Sequence, residues 1–259
     1  MNEQQPLISC LCVTKERPHY LVRAIRSFLA QSYPSKELVV LHPKWDTSTS
    51  ACVSRFGVPE LRAVALDAVN ATLGELRNIS IDHARGDYLC VWDDDDWHSP
   101  ERIAALYGAI ASSRKQASIL ARLLIYDARS RSAYLGFERL WENSVMFSKK
   151  KISELGIRYP AKNRSEDYDF VNELIAANLI YPVYDPTLYI YQISGNNTCD
   201  ARHFDALLKR SVALSTEHAA LVRQAIELSI SPGDAHRLLQ SDWFKSPLQY
   251  VKHTAVPRV

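Results

Sequence analysis

The 259-residue chain is 47% apolar, which is enough to bury the core of one sizeable domain. Its 31 basic and 29 acidic residues nearly cancel and are spread along the chain, so the sequence lacks the basic stripe of a nucleic-acid-binding protein. No apolar run approaches the roughly 18 residues that a membrane helix needs. We therefore expect a globular protein whose partner is not nucleic acid.

The N-terminus and the cysteines predict a cytoplasmic location. Met1–Pro6 is short and polar, and it lacks the charged start and apolar stretch of a secretory signal. The cysteines are odd in number and show no zinc-ligand spacing, so small apolar thiols in a reducing compartment are the simpler interpretation. They are Cys10, Cys12, Cys52, Cys90 and Cys199.

Strands and helices alternate through the first half of the chain. Apolar runs of strand length occur at Leu7–Thr14, Glu37–Leu41, Arg62–Leu66 and Tyr88–Trp92. Helices are predicted at Pro18–Ser32, Ala51–Phe56, Leu73–Ala84 and Pro100–Ser112, the last with Ser99 as its N-cap. Apolar strands that alternate with helices predict a mostly parallel sheet covered on both faces.

The second half is less regular. Strands are predicted at Ile119–Tyr126, Ala133–Phe137, Val145–Ser148 and Leu188–Gln192, with a helix at Glu166–Asn178. Two more helices, divided by Pro232 and Gly233, are predicted between His203 and Trp243. We expect an α/β domain over residues 1–200, with a mostly parallel mixed sheet flanked by helices, and a C-terminal helical extension over residues 201–259.

Four consecutive aspartates, Asp93–Asp96, follow the fourth predicted strand. Adjacent carboxylates repel one another unless water, a base or a cation compensates them, and their oxygens suit Mg²⁺ or Mn²⁺. Alternation along an extended chain would aim the first and third aspartates to one side and the other two to the opposite side. The alternative is a solvated acidic loop, but the flanking Trp92 and Trp97 favour a walled pocket.

Three motifs resemble family-2 glycosyltransferases, which have the GT-A fold. The stretch from Gly86 to Asp96 is similar to that family's metal strand and D-x-D-D motif. Ile8–Gln31 resembles its first strand and helix, and Gly74–Asn78 resembles the segment that carries an Arg-Asn pair before the metal strand. The resemblance spans roughly residues 7–200 and implies a Rossmann-like GT-A domain.

The resemblance also implies roles for individual residues. Asp95 would be the principal ligand of a divalent metal, Mn²⁺ or Mg²⁺, and Asp93 would contact both the metal and the nucleotide. Asp94 and Asp96 would face the donor, with Asp96 either supporting the metal site or meeting the donor sugar. Arg77 would lie near the donor, where its guanidinium could pair with the acidic cluster; a surface position on an amphipathic helix is the alternative.

Two departures from the family pattern concern the nucleotide base and the metal. The family commonly has an aspartate pair and Gly-Ser after its second strand, the first acid recognising the base, whereas this chain has Leu41–Asp46. Asp46 or Trp45 could take over that contact, and Thr14 could line the same site. The family histidine that reaches the metal is also missing, so water or His203 would complete the metal shell.

Glu166 and Asp167 resemble the family's Glu-Asp motif, with Asp167 as the base that accepts the acceptor hydroxyl's proton. The alternative is helix stabilisation, with Ser165 as an N-cap followed by acids in the first turn. A helix N-terminus also lowers the pKa of a carboxylate, which weakens it as a base unless burial or Glu166 offsets the effect. Trp141 and Trp97 are predicted to contact the acceptor, although a core position would explain Trp141 equally well.

The resemblance implies an inverting transfer from a nucleotide-diphosphate sugar, with a UDP-sugar expected, to a glycan, lipid-linked or protein acceptor. Synthesis of a bacterial surface glycan at the inner face of the membrane is the expected setting. The C-terminal residues Trp243, Lys245, Lys252 and Arg258 could associate with that membrane surface, and a frayed, solvated end is the alternative.

Two other functions stay open. A nucleotidyltransferase also holds acidic metal ligands on a nucleotide-binding α/β sheet, but it usually follows its first strand with a glycine-rich loop, and Thr14–Pro18 contains no glycine. A noncatalytic glycan- or metal-binding module of the same fold would explain the missing base-recognition acids and the missing histidine.

Overall fold

A computed structural model describes residues 5–67, 70–195, 197 and 201–249. Its strands are β1 (Ile8–Val13), β2 (Lys36–Pro43), β3 (Leu61–Leu66), β4 (Tyr88–Val91), β5 (Trp97–His98), β6 (Ala117–Leu120), β7 (Leu124–Asp127), β8 (Ser132–Leu135), β9 (Met146–Ser148), β10 (Ile180–Val183), β11 (Tyr189–Ile193) and β12 (Val212–Ala213). Its α-helices are α1 (Pro18–Leu29), α2 (Thr47–Phe56), α3 (Leu73–His83), α4 (Arg102–Ser113), α5 (Lys149–Leu155), α6 (Glu166–Ala176), α7 (Ala201–Arg210), α8 (Thr216–Ile226), α9 (Pro232–Leu239) and α10 (Asp242–Gln249).

The strands form two sheets. The larger sheet has the order β10-β6-β9-β4-β1-β2-β3, and its neighbours are parallel except where β9 pairs with β4 and β6. The smaller sheet has the order β12-β8-β7-β11-β5, in which only β7 and β11 are parallel. This arrangement confirms the predicted α/β fold with a mostly parallel mixed sheet, flanking helices and C-terminal helices.

Side chains of the central strands alternate between two apolar cores, one on each face of the larger sheet. On β1, Cys10 and Cys12 enter the core that contains α1 and α4, whereas Leu11 enters the core that contains α3, α5 and α6. Burial on both faces explains why these strands are apolar throughout. Cys10, Cys12, Cys52 and Cys90 are buried free thiols, and Cys199 lies outside the described residues.

The single strand predicted at Ile119–Tyr126 is wrong. The chain leaves the larger sheet after β6 and enters the smaller sheet as β7. In between, Ala121 donates its amide to Val183, and the carbonyl of Leu123 accepts the amide of Gly136. Apart from Arg122, residues 119–126 are apolar and buried, so one polar residue is the only mark that the sequence pattern gives.

Helix boundaries differ from the prediction at three places. Helix α4 begins at Arg102 rather than Pro100. The Ser99 hydroxyl accepts the amide of Glu101 at 3.2 Å and also bonds to His236 Nδ1 at 2.9 Å. Helix α2 begins four residues before Ala51, and the C-terminal region holds the four helices α7 to α10 rather than two. The predicted division at Pro232 is confirmed, since Pro232 occupies the first turn of α9.

Helices α8, α9 and α10 cover one face of the smaller sheet. Val222, Leu239 and Phe244 form an apolar cluster with Leu124 of β7 and Ile190 of β11. The domain boundary near residue 200 stays a prediction. Within the described part of the chain, no helix combines the length and apolar character needed to cross a membrane.

The C-terminal residues predicted to meet a membrane are only partly described. Trp243 is 52% exposed and stacks on His218, and the Lys245 ammonium donates to Gln240. Lys252 and Arg258 lie outside the described residues.

The carboxylate of Glu37 joins β1, β2 and β3 to the loop before β4. Its Oε1 accepts hydrogen bonds from the Ser9 hydroxyl and the Arg85 amide (both 2.7 Å), and its Oε2 accepts one from Arg62 (3.1 Å). Burial alone would raise the pKa of Glu37, but these three donors outweigh it and lower the pKa.

We expect Glu37→Gln to lower the free energy of unfolding by about 2 kcal/mol at neutral pH, because an amide cannot accept all three bonds. The folded pKa lies below the unfolded value of about 4.3, so this stabilisation is present above the unfolded pKa and is lost as pH falls through the folded pKa. Urea unfolding at neutral pH and near pH 3 measures the difference in free energy of unfolding between the variant and the unaltered chain. Glu60→Gln, at an exposed residue, is the control. An equal difference at both pH values would contradict the prediction.

Candidate active site

The four aspartates leave the C-terminal end of β4 as a turn. Asp94 and Asp95 both face one arginine of the β1–α1 loop, Asp93 faces an arginine of α3, and Asp96 faces the smaller sheet. The predicted alternation of the four side chains is therefore wrong, because a turn does not keep the two-residue period of a strand.

Arg17, in the β1–α1 loop, bridges two of the aspartates. Its Nη1 lies 3.0 Å from Asp94 Oδ1, and its Nη2 lies 2.7 Å from Asp95 Oδ2. The Thr14 hydroxyl donates to the second oxygen of Asp94, and the Tyr20 ring lies 4.6 Å from the Arg17 guanidinium. The loop after β1 thus supplies both a hydroxyl and a positive charge to the acidic turn.

Arg77, on α3, connects the acidic turn to the start of α6. Its Nη2 lies 3.5 Å from Asp93 Oδ1, and its Nε donates to Glu166 Oε1 at 3.1 Å. The Arg77 side chain is only 12% exposed, which differs from the surface position considered as an alternative. Burial lowers its pKa, but Asp93, Tyr159 and Glu166 outweigh burial and raise it, so Arg77 stays charged.

Glu166 and Asp167 occupy different environments at the start of α6. Glu166 is buried against Arg77, and burial raises its pKa although Arg77 opposes the change. Asp167 is half-buried and lines the same cleft as the acidic turn. Ser165 has a left-handed backbone (φ 58°) and makes no side-chain capping bond, so the predicted N-cap interaction of its hydroxyl is absent from this described segment.

Asp96 is held by residues outside the larger sheet. Its Oδ1 accepts the amide of Gln192 at 2.7 Å, and its Oδ2 accepts the hydroxyl of Tyr189 and, at 3.4 Å, the amide group of Asn143. Only 1% of Asp96 is exposed. Both oxygens therefore meet protein donors, and we treat Asp96 as the residue that fixes the turn to β11.

A cleft of about 390 Å³ lies between the acidic turn and the start of α6. Trp141, predicted to contact the acceptor, lines it and is at the same time buried, with the Arg139 guanidinium 5.1 Å from its ring. Tyr168, which is 55% exposed, and His203 also line the cleft. The cleft thus combines aromatic surface with carboxylates and arginines.

Trp97 lies away from the cleft, in contrast to the prediction that it contacts the acceptor. It is 1% exposed and packs in the cluster formed by the smaller sheet and α8 to α10. The ring of the next residue, His98, packs against Trp92 at a tilt of 33°, with ring centroids 3.8 Å apart. Because neighbours on a strand face opposite sides, Trp97 is turned toward the C-terminal helices.

A second, mainly apolar cavity of about 250 Å³ lies at the ends of β1, β2 and β3. Thr14 lines it, together with Lys15, His42, Leu66 and Leu73. The placement of Thr14 at the nucleotide base stays a prediction.

Asp46 is not among the residues that line this cavity. Its carboxylate caps α2 by accepting the Thr49 amide and hydroxyl (3.1 and 2.6 Å), and it also accepts the Ser48 hydroxyl and the Glu16 amide (both 2.6 Å). These bonds overcome burial and lower the pKa of Asp46. The expected base contact therefore finds no support; Asp46 instead fixes the loop that carries Arg17, and Trp45 is exposed at the surface.

The donor set of the acidic turn fits a hard divalent cation. Burial, followed by the Asp95 carboxylate, raises the pKa of Asp94 to about 7, and burial also raises the pKa of Asp93 and Asp96. The arginines thus leave negative charge uncompensated. Among the described residues, no three or more His, Cys, Asp or Glu side chains are grouped so that they could hold a metal ion by themselves. A Mg²⁺-like ion commonly takes one or two carboxylates and completes its shell with phosphate and water, so Asp93 and Asp95 would supply enough protein ligands for it.

Gly74 brings the start of α3 against the loop before α6. A Cβ atom at this position would lie 1.9 Å from the carbonyl oxygen of Pro160. We therefore expect Gly74→Ala to separate Arg77 from Glu166 and to lower both the melting temperature and any activity of the cleft.

Gly108→Ala is the matched control, because a Cβ on this α4 residue would meet nothing within 4 Å and should raise helix stability by up to about 1 kcal/mol. Thermal unfolding of both variants decides the matter. A Gly74→Ala protein as stable as the Gly108→Ala protein would contradict the close packing.

Sequence reasoning missed several residues of the site. Arg17, Asn143, Tyr189 and Gln192 contact the aspartates but carry no motif of their own. For Arg17 a signal existed, because it follows β1 at the same sheet edge where Asp93 follows β4. For Asn143, Tyr189 and Gln192, the contact depends on how the smaller sheet and the segment before β9 pack against the acidic turn, which local sequence patterns do not show.

Comparison with known proteins points to one family. The sequence profile of "Glycosyl transferase family 2" matches residues 9–159. Glycosyltransferase GlyA of Streptococcus pneumoniae serotype 4 is 23% identical over 267 aligned positions, which cover 88% of this chain and 38% of GlyA. The chain spans only 24% to 38% of the length of the curated relatives that it matches.

Solved structures share the fold. The S. aureus TarS structure in complex with UDP superposes with a TM-score of 0.61 at 16% identity, over 94% of this chain and 78% of that one. A mannosyltransferase from Pyrobaculum calidifontis in complex with GDP-Man and Mn²⁺ superposes with a TM-score of 0.58 at 14% identity, over 98% and 77%. At these identities the likeness shows the GT-A fold alone.

Proposed function

This chain belongs to glycosyl transferase family 2, and from that premise we propose that it moves a sugar from a nucleoside-diphosphate sugar to a hydroxyl of a glycan, lipid-linked or protein acceptor. The proposed setting is the synthesis of a bacterial surface glycan, since parts of the chain also match the succinoglycan biosynthesis protein ExoO of Rhizobium meliloti (40% identity over 32% of the chain) and the putative colanic acid biosynthesis glycosyl transferase WcaA of Escherichia coli (32% over 39%).

One observation carries the proposal: the acidic turn lines the polar cleft, and Arg17, which pairs with Asp94 and Asp95, lines both that cleft and the mainly apolar cavity. In this proposal the apolar cavity takes the nucleoside base, and the cleft, which Asp167 lines, takes the reacting sugars. A diphosphate joining the two parts of the donor would lie beside Asp93 and Asp95. The arrangement matches a donor whose two ends differ in polarity.

The residues of the cleft divide the chemistry among them. Asp167 accepts the proton of the acceptor hydroxyl as the new bond forms, and attack from its side of the sugar inverts the anomeric centre. Arg77 keeps a positive charge beside the donor and holds Glu166 in place.

Trp141 and Tyr168 give the acceptor sugar an aromatic surface on which to pack. A divalent cation held by Asp95 and Asp93 would neutralise charge on the departing nucleoside diphosphate.

The test incubates the chain with a panel of UDP- and GDP-sugars, with and without Mn²⁺, and measures the release of nucleoside diphosphate. When an acceptor is added, NMR of the product gives the configuration of its anomeric centre. A UDP-sugar is the expected donor, since TarS, which shares the fold, was solved with UDP. Metal-dependent release from one donor supports the proposal. Nucleotide binding without turnover on any acceptor would favour a noncatalytic module, and pyrophosphate formation from a sugar phosphate and a nucleoside triphosphate would favour a nucleotidyltransferase.

The proposed location is the cytoplasm, at the inner face of the membrane. The four described cysteines are free and buried, which agrees with a reducing compartment. Fractionation of producing cells, followed by a salt wash of the membranes, tests the location. Recovery of the protein in the periplasm or the medium would contradict the proposed location.

A further inference from the structure

The two cavities of the site share one charged wall. Val13, Arg17 and Leu73 line both the apolar cavity and the acidic cleft, and Arg17 alone among these three carries a charge. A ligand that extends from one cavity into the other must pass this arginine. Its guanidinium is a planar fork of donors that suits phosphate oxygens and carboxylates equally well.

In the structure, that fork is directed at the acidic turn. Arg17 contacts Asp94 at 3.0 Å and Asp95 at 2.7 Å, and Asn197 Nδ2 lies 3.4 Å from the same oxygen of Asp95. The guanidinium therefore engages the carboxylate that is proposed to bind the cation. A divalent cation on Asp95 and the guanidinium on the same carboxylate would repel each other.

The other side of Arg17 faces an aromatic ring and solvent. The Tyr20 ring lies 4.6 Å from the guanidinium, and 28% of the side chain is exposed. The backbone, by contrast, is fixed, because Asp46 holds the amide of Glu16 at 2.6 Å. Only the end of the side chain is free to exchange partners.

We infer that Arg17 is an exchange residue: it neutralises Asp94 and Asp95 while the donor is absent and moves to the diphosphate when the donor binds, which leaves Asp95 to the cation. This inference rests on the proposed function. It makes cation binding weak in the free protein and strong once a diphosphate is present, so the cation and the donor bind together.

The experiment compares the full chain with Arg17→Gln, Arg17→Lys and the control Arg26→Gln, which alters an exposed arginine of α1. Binding of Mn²⁺ alone is followed by the electron spin resonance of free Mn²⁺, and binding of inorganic pyrophosphate and of UDP without metal is followed by calorimetry. Arg17→Gln should bind Mn²⁺ about tenfold more tightly and pyrophosphate about tenfold more weakly. Arg17→Lys should bind Mn²⁺ as the unaltered chain does, because it keeps the charge.

The predicted changes in Mn²⁺ affinity and pyrophosphate affinity have opposite signs, which distinguishes an arginine that exchanges partners from one that only positions Asp95. If Arg17 only positioned Asp95, its loss would weaken both ligands, and unchanged or weaker Mn²⁺ binding by Arg17→Gln overturns the inference. Unchanged pyrophosphate affinity overturns it too, as does an Arg17→Lys protein that gains Mn²⁺ affinity. Failure of the proposed function is distinguishable, since the unaltered chain would then release no nucleotide from any donor, whatever the Mn²⁺ affinities of the variants.

Discussion

Asp167→Asn should lower sugar transfer by about 10²- to 10⁴-fold while leaving donor affinity within about a factor of two. The carboxylate is the half-buried acid of the α6 start, and it lines the cleft into which the acceptor must enter. Asparagine keeps its size but cannot accept a proton. Steady-state transfer rates and calorimetric binding of the nucleoside diphosphate give the two quantities separately.

Asp169→Asn is the matched control for this change. Asp169 lies in the same turn of α6 but pairs with Lys162 outside the lining of the cleft. Its replacement should leave the transfer rate near that of the unaltered chain. Transfer that survives in Asp167→Asn, or a loss that is equal in both variants, would remove Asp167 from the role of base.

Asp95→Asn should reduce metal-dependent nucleotide binding by about a hundredfold or more. Asparagine retains one oxygen and the approximate shape of the side chain, but it removes the negative charge that a hard cation requires. Metal-free binding should persist, because the apolar cavity and Arg17 are unchanged. Titration of UDP and GDP with and without Mn²⁺ measures both effects.

Asp87→Asn serves as the control for the acidic turn. Asp87 is exposed and precedes β4, so it lies at the opposite end of the same strand. It should bind metal and nucleotide as the unaltered chain does. If Asp95→Asn keeps its full metal dependence, the cation is held elsewhere, and the role given to the turn is incorrect.

The first half of the fold is predictable because its signals are local. Buried parallel strands are apolar along their whole length. Helix α1 has periodic apolar residues, and helix α3 begins with a capping box of Thr72 and Glu75. The acidic motif marks the end of β4 without help from tertiary structure. These elements place Asp93 and Arg77, and α6 of the second half adds Asp167 to the same cleft.

The remaining parts depend on contacts that a single sequence does not contain. The crossing between sheets at residues 121–123 is apolar on both sides, so a pattern of burial cannot divide β6 from β7. The direction of Trp97 depends on α8 to α10, more than 100 positions later. Asp46 illustrates a third cause, since a carboxylate that caps a helix and one that binds a ligand have the same sequence signal.

The attachment of Asp96 to β11 limits how this enzyme family can be recombined. Tyr189 and Gln192 hold the aspartate, while Ile190 between them packs under the C-terminal helices. A chimaera that takes residues 201–249 from a relative would therefore place foreign side chains beneath the strand that supports the acidic turn. Grafts intended to change acceptor preference should transfer β5, β7, β8 and β11 together with those helices, because the strands and the helices share one apolar core.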